Sequence, residues 1–162
     1  MDKLYFAKLR DTAKIPTKRD EDGCYDIYAD FGEAAYVIPP HESVLIPTGI
    51  CSAFDKKYRL AVRDRGSNTK SHLHTIAGQI DSGYRGEIFV ALVNTSNMVV
   101  ILDKEVEEVQ QVDNTLMVPY TKAIGQLALE YVPMVEVEEI PLKSLQAIPS
   151  ERGAGKLGSS GK

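Results

Sequence analysis

The densest chemistry in this chain lies in residues 77–87, where Asp81-Ser82-Gly83 sets a carboxylate in a turn and Tyr84 follows three places later, ahead of the apolar run Ile88-Phe89-Val90-Ala91-Leu92-Val93. A carboxylate so placed serves as a general base if it hydrogen-bonds a water at about 2.6–3.2 Å and accepts its proton during attack. Read locally, the segment is a hairpin whose turn holds the acid and whose return carries the ring. An isolated Asp-Ser-Gly is more simply an Asx turn, so the chemical reading needs other segments to support it.

Four others do. Gly23-Cys24-Tyr25-Asp26-Ile27-Tyr28-Ala29 carries an acid, and Arg63-Asp64-Arg65-Gly66-Ser67 puts an arginine fork beside a hydroxyl, a donor set that suits phosphate oxygens. Ile124-Gly125-Gln126-Leu127 offers an uncharged amide donor. Residues 149–162 include Arg152, Gly153, Lys156, Leu157, Gly158, Ser159, Ser160 and Gly161, and glycines of this kind let backbone N–H groups turn onto an anion.

The elements that must position these groups are short. Tyr36-Val37-Ile38, Val44-Leu45-Ile46, Tyr58-Arg59-Leu60-Ala61-Val62 and the run from Ile88 are separated by Pro39-Pro40, Pro47-Thr48-Gly49 and Asp81-Ser82-Gly83, a pattern of sandwiches and jelly rolls. Residues 103–114 place Val106, Val109 and Val112 at every third position, which suits either a short helix or a long hairpin arm. Strand character returns in residues 124–132 and in the alternating Val135-Glu136-Val137-Glu138, with the core expected to end near Leu145. The division expected is an all-β domain over residues 1–148 and a flexible Gly/Ser-rich lid over 149–162.

The 162 residues, 43% of them hydrophobic, suffice for a single filled core. A net charge of -4 argues against a general nucleic-acid binder, so a phosphate ligand must be met by local cations. No run approaches the roughly 20 apolar residues of a membrane helix, and the first ten residues hold no signal-type apolar region, so no membrane association and a cytoplasmic location are expected. The two cysteines, Cys24 and Cys51, form no zinc or disulfide framework. His72 and His74, with one residue between them, fall on one face of a strand, but two ligands make no metal site. The charged stretches 104–108 and 136–139 read as solvated faces.

Taken in order, the five segments resemble the five motifs of the trimeric dUTP diphosphatases, and Ile46-Pro47-Thr48-Gly49 is similar as well, so the resemblance runs from about Gly23 to Gly161. It implies a distorted jelly-roll of the dUTPase type and hydrolysis of dUTP to dUMP and pyrophosphate, with Asp81 activating the water that attacks the α-phosphorus. It implies that Tyr84 packs on the deoxyribose face, that the backbone of Gly78, Gln79 and Ile80 pairs with uracil, and that Arg65, Gly66, Ser67 and Gln126 meet the phosphates. Asp26 would hold the water shell of a Mg²⁺ ion, an ion that keeps its waters and leans on substrate phosphates. Arg152, Leu157, Gly158, Ser159 and Ser160 would close over the triphosphate.

A homotrimer follows from the same resemblance, each site drawing segments one, two and four from one chain, segment three from its neighbour and the tail from the remaining chain. The chain departs from the family in four places, one of them Lys156, which replaces a glycine. In the other three, the order Arg65-Gly66-Ser67 replaces Arg-Ser-Gly, Ala123 with Lys122 adjacent replaces an arginine, and Leu157 replaces an aromatic. Two rivals are defined: a dCTP deaminase, whose catalytic glutamate position falls on Ala91, and a dUTP-binding regulatory protein without chemistry, which would not need Asp81 and the phosphate-facing groups together.

Overall fold

The short apolar runs become strands because β-branched and aromatic residues fit a pleated, half-buried surface, while the Pro, Gly and Asp clusters between them turn the chain. The computed structural model describes residues 2–155. Its strands are β1 (Tyr5–Lys8), β2 (Cys24–Tyr28), β3 (Ala35–Ile38), β4 (Ser43–Pro47), β5 (Ile50–Ala53), β6 (Tyr58–Arg63), β7 (Leu73–Thr75), β8 (Gln79–Ile80), β9 (Phe89–Asn94), β10 (Val99–Asp103), β11 (Gln110–Val112), β12 (Thr115–Pro119) and β13 (Ala123–Tyr131). A 3-10 turn, Gly66–Lys70, and one short helix, α1 (Leu142–Gln146), complete the regular elements described.

The strands form four small sheets in the orders β1-β5, β11-β12-β10-β3, β2-β13-β6-β8 and β4-β9-β7. All pairs are antiparallel except β10 with β12. This is the all-β, jelly-roll-like architecture expected. In β10 burial alternates, Val100 and Leu102 facing a core shared with Ile38, Leu116 and Val118. The centre of β9 is buried at the successive residues Val90, Ala91 and Leu92, and β4 and β7 flank its two edges.

Three expectations change, and one alternative left open is decided. β8 pairs with β6, whereas β9 pairs with β4 and β7, so residues 81–88 cross between two sheets and do not close a hairpin. Within 103–114 the hairpin arm wins: β11 and β12 pair with Val112 opposite Thr115, and Asp113 takes a left-handed φ of 51° at the turn, while valines at every third position find no surface to cover as a helix. Residues 135–138 pair with nothing and form no strand, since alternation makes a strand only where a neighbour supplies a hydrogen-bonding edge. Val137 is 91% exposed there, and Leu145 lies outside the core, whose last fully buried side chain is Leu127.

His72 and His74 do not share a strand face. His72 precedes β7 in a left-handed conformation at φ 54°, and His74 meets Asp64. Among the described residues no group of three His, Cys, Asp or Glu side chains is arranged to hold a metal, and no helix is long and apolar enough to cross a membrane.

Candidate active site

The sheet β2-β13-β6-β8 sets the site. Its register aligns Asp26 of β2 with Gln126 of β13, and Gln126 with Arg63 at the end of β6. Beyond Arg63 the chain turns, and the Arg65 guanidinium folds back over the sheet. Its Nε donates to Asp26 Oδ1 at 2.9 Å and its Nη2 to Oδ2 at 3.1 Å, a bidentate fork. Nη1 reaches Ser67 Oγ at 3.3 Å and the Ala123 carbonyl at 3.4 Å. Arg65 thus takes up much of its donor capacity before a ligand arrives, and its planar fork fixes one orientation.

The turn behind it is tied down. Asn68, buried, donates from Nδ2 to the Ile124 carbonyl at 3.1 Å, and the Asn68 amide bonds the Arg65 carbonyl at 2.9 Å. Gln126 donates from Nε2 to the Asp64 carbonyl at 2.6 Å. Asp26, Arg65, Gly66 and Gln126 therefore line one cleft of about 790 Å³, with Lys18 and Arg19 on its rim. Ser67 stands at its side, in contact with Arg65.

Asp81 and Tyr84 belong elsewhere in the chain. Ile80 pairs with Leu60, which is level with Leu129, three residues along β13 from Gln126 and two strands across. At about 3.4 Å per residue and about 4.8 Å per strand, Asp81 lies roughly 15 Å from Gln126. The two groups of candidate residues thus lie apart on one sheet.

The Asp81 half is rigidly built. Residues 77–78 carry the chain from the β7 sheet to the β6 sheet, with Ala77 left-handed at φ 47° and the Gly78 carbonyl accepting from the Val62 amide at 2.8 Å. A Cβ on Gly78 would meet the Val62 backbone and side chain at 2.9–3.2 Å, so only glycine fits without a shift. With its carboxamide oxygen turned toward Arg59, Gln79 accepts from Nη1 at 2.8 Å and Nε at 3.1 Å, which occupies its side chain. The Tyr84 hydroxyl donates to the Glu87 carbonyl at 2.9 Å, and the ring lies so close over Gly86 that a Cβ there would come within 2.5 Å of the phenol oxygen. One face of the ring is thereby backed by main chain, and the side chain remains 46% exposed.

Glu87 anchors this loop. Its Oε1 accepts from the Gly49 amide at 2.7 Å, the Thr48 amide at 3.2 Å and Arg10 Nη2 at 2.6 Å, while Arg10 Nε holds the buried Asp30 at 2.6 Å. Burial alone would raise both carboxyls, but Arg10 with the Gly49 and Thr48 amides holds Glu87 below its ordinary range, and Thr12 and Arg10 do the same for Asp30. Gly49, at φ 65°, makes the arrangement possible: a Cβ would fall 2.5 Å from Asp30 Oδ2.

Sequence reasoning placed Asp26, Arg65, Gly66, Ser67 and Gln126 in one locale and Gly78, Gln79, Ile80, Asp81 and Tyr84 in another. It missed Asp64, Thr75, Arg10, Asp30 and Glu87; the one local signal was an acid between two arginines at 63–65. Arg152 sits in a turn where its carbonyl accepts from the Gly155 amide at 3.2 Å. Leu157, Gly158, Ser159 and Ser160 lie outside the described residues.

The chain is all-β, with a cleft lined by the bidentate Arg65–Asp26 pair and a separate loop that carries Asp81 and Tyr84. The dUTPase family model matches residues 11–112. The deoxyuridine 5'-triphosphate nucleotidohydrolase of Nautilia profundicola is 31% identical over 99% of each chain. Among solved structures, the Staphylococcus bacteriophage 80alpha dUTPase with dUpNHpp superposes with a TM-score of 0.76 at 21% identity, covering 99% of each chain. The dUTPase of phage phi11 of S. aureus, described with a coordinated structural Mg(II) ion, does so with a TM-score of 0.68 at 19% identity over 85% of this chain and 96% of that one. The chain belongs to the dUTPase family.

Proposed function

We propose that the protein hydrolyses dUTP to dUMP and pyrophosphate. The observation that carries this reading is the Arg65–Asp26 fork level with Gln126, a preorganised phosphate cleft, in a chain that also presents Asp81 beside Tyr84. Asp81 takes a proton from a water whose oxygen bonds the α-phosphorus; the bridging bond to the β-phosphate breaks and pyrophosphate departs. Arg65, Gly66, Ser67 and Gln126 hold phosphate oxygens, and fixed donors of this kind act without reorganising at the moment of reaction.

Tyr84 walls the sugar and excludes a 2′-hydroxyl by contact, and the Gly78–Gln79–Ile80 main chain reads the uracil edge. Deamination is disfavoured because Ala91, buried in β9, supplies no acid.

Mg²⁺ fits the cleft only indirectly. Both Asp26 oxygens are engaged by Arg65, which leaves lone pairs for metal-bound waters but neither Asp26 oxygen without a partner. Asp26 would hold the waters of a Mg²⁺ ion bound with substrate, and the ion would supply neutralisation of phosphate charge.

Separation of the two half-sites by roughly 15 Å supports a homotrimer in which the Asp81 loop of one chain faces the Arg65 cleft of another. The segment after β13 supports it too, since Met134, Val135, Val137 and Leu142 stand exposed among the described residues. Residues 149–162, including Arg152, Leu157, Gly158, Ser159 and Ser160, serve as a lid on the body formed by 1–148, excluding water on closure. The protein works in the cytoplasm, where its two free cysteines stay reduced.

The test is incubation with dUTP, dTTP, dCTP and UTP in magnesium, following pyrophosphate, beside Asp81→Asn. Cleavage of dUTP alone, lost in the variant, is expected. Absence of pyrophosphate from every nucleotide would leave a binding protein, and ammonia from dCTP would overturn the reading of Ala91.

A further inference from the structure

We infer that Asp64 is a positioning residue that sets the Gln126 carboxamide and couples the phosphate cleft to the base-reading segment of the same chain. The inference rests on the diphosphatase reading.

Asp64 stands between Arg63 and Arg65, yet its carboxylate pairs with neither. Arg63 is bonded to Glu130 and Arg65 to Asp26. Both Asp64 oxygens turn instead to β7, Oδ1 accepting from the Thr75 amide at 2.5 Å and Oδ2 lying 3.2 Å from His74 Nδ1. Two adjacent guanidinium groups would ordinarily compete for such a carboxylate. That the β7 contacts hold it is visible in its acidity: burial raises the carboxyl, and the Thr75 and His74 bonds outweigh this and hold it below its ordinary value.

The main chain of the same residue faces the cleft. Its carbonyl accepts from Gln126 Nε2 at 2.6 Å, which fixes the rotation of the carboxamide and commits one of its two N–H groups, leaving the other for a phosphate oxygen. Thr75 packs alongside, its Cγ2 3.6 Å from the place a Cβ on Gly125 would occupy, beside Gln126. Three residues past Thr75 lies Gly78, whose carbonyl is bonded to Val62, two residues before Asp64. One residue thus links the group that meets phosphate to the strand that leads into the base-reading segment, and it does so through three hydrogen bonds of different origin.

The test is a double-mutant cycle on the full chain, read as kcat/KM for dUTP. Asp64→Ala is expected to lose about thirtyfold, and Asp64→Asn, which keeps an oxygen for the Thr75 amide, to recover to within about threefold of the unaltered protein. In a Gln126→Ala background, Asp64→Ala is expected to cost less than about twofold more, because the group it positions is gone. Unchanged activity in Asp64→Ala, or an equal loss in both backgrounds, overturns the inference.

Should Asp64→Ala fail to fold, His74→Ala loosens only one hold on the carboxylate. It is expected to cost about threefold with Gln126 present and nothing without it; equal losses would again overturn the inference. Failure of the unaltered chain to hydrolyse dUTP is read before any substitution and would count against the diphosphatase reading itself.

Discussion

Arg65 grips both oxygens of Asp26, at 2.9 and 3.1 Å, across the edge of the sheet that also carries Gln126. The fork is set by β-sheet register, so its direction is fixed before a triphosphate enters.

Asp26→Ala should therefore cost more than the loss of one carboxylate, since it also frees the guanidinium to rotate. A fall in kcat/KM for dUTP of at least about tenfold is expected, with Arg65→Lys similarly impaired because a point charge cannot replace the fork. Steady-state kinetics with a melting curve for each variant decides it; a fully active Asp26→Ala would show that the fork does not matter to the reaction.

Gly86→Ala tests the backing of Tyr84. The added carbon would meet the phenol ring at 2.5–3.0 Å, so the ring must swing away. Sugar selectivity, measured as the ratio of kcat/KM for dUTP to that for UTP, should fall by about tenfold. A selectivity equal to that of the unaltered chain would mean that the ring is not held by this contact.

Arg10→Ala strands two carboxylates, one of them the 2%-exposed Asp30. Because the Arg10 side chain is itself 41% exposed, solvent tempers the loss of its pairing with buried Asp30, and a destabilisation of about 1.5 kcal/mol is expected. For a chain of this size the melting temperature should drop by about 3–6 °C. A shift under about 2 °C in a thermal scan would contradict the role assigned to this network.

The same network predicts a pH dependence. Glu87 and Asp30 are held below their ordinary values of 4.5 and 3.8, so the folded state binds their protons less readily than the unfolded chain does. Their stabilisation is complete above those values and is lost as pH falls through the lower folded-state values. Urea midpoints measured from pH 7 downward should stay level to about pH 5 and then fall. In Arg10→Ala that acid-side fall should flatten, because the attraction that depresses both carboxyls is gone; an unchanged slope would assign the acid sensitivity to other groups.

The strands were readable wherever β-branched runs met Pro or Gly, as at Ile46-Pro47-Thr48-Gly49, because turn chemistry and burial pattern are local. The partners of those strands were not. Local order suggested that the chain doubles back at Asp81, but β8 and β9 find neighbours in different sheets, a matter of long-range packing. Val135-Glu136-Val137-Glu138 alternates like a strand and yet finds no strand partner among the described residues. At the site, acids and arginines announced themselves by type, whereas Asp64 and Glu87 act through main-chain contacts with segments distant in sequence, Asp64 with Thr75 and Gln126 and Glu87 with Thr48 and Gly49.

The distance between the Arg65 cleft and the Asp81 loop carries a consequence for inheritance. If a working site needs one half from each of two chains, two defective alleles need not add up to a defective protein. A chain lacking Arg65 still lends Asp81, and a chain lacking Asp81 still lends Arg65, so every mixed ring of three holds a single intact site. Co-expression of the two inactive forms should rescue activity that neither shows alone, and each should depress a normal copy by less than complete dominance would.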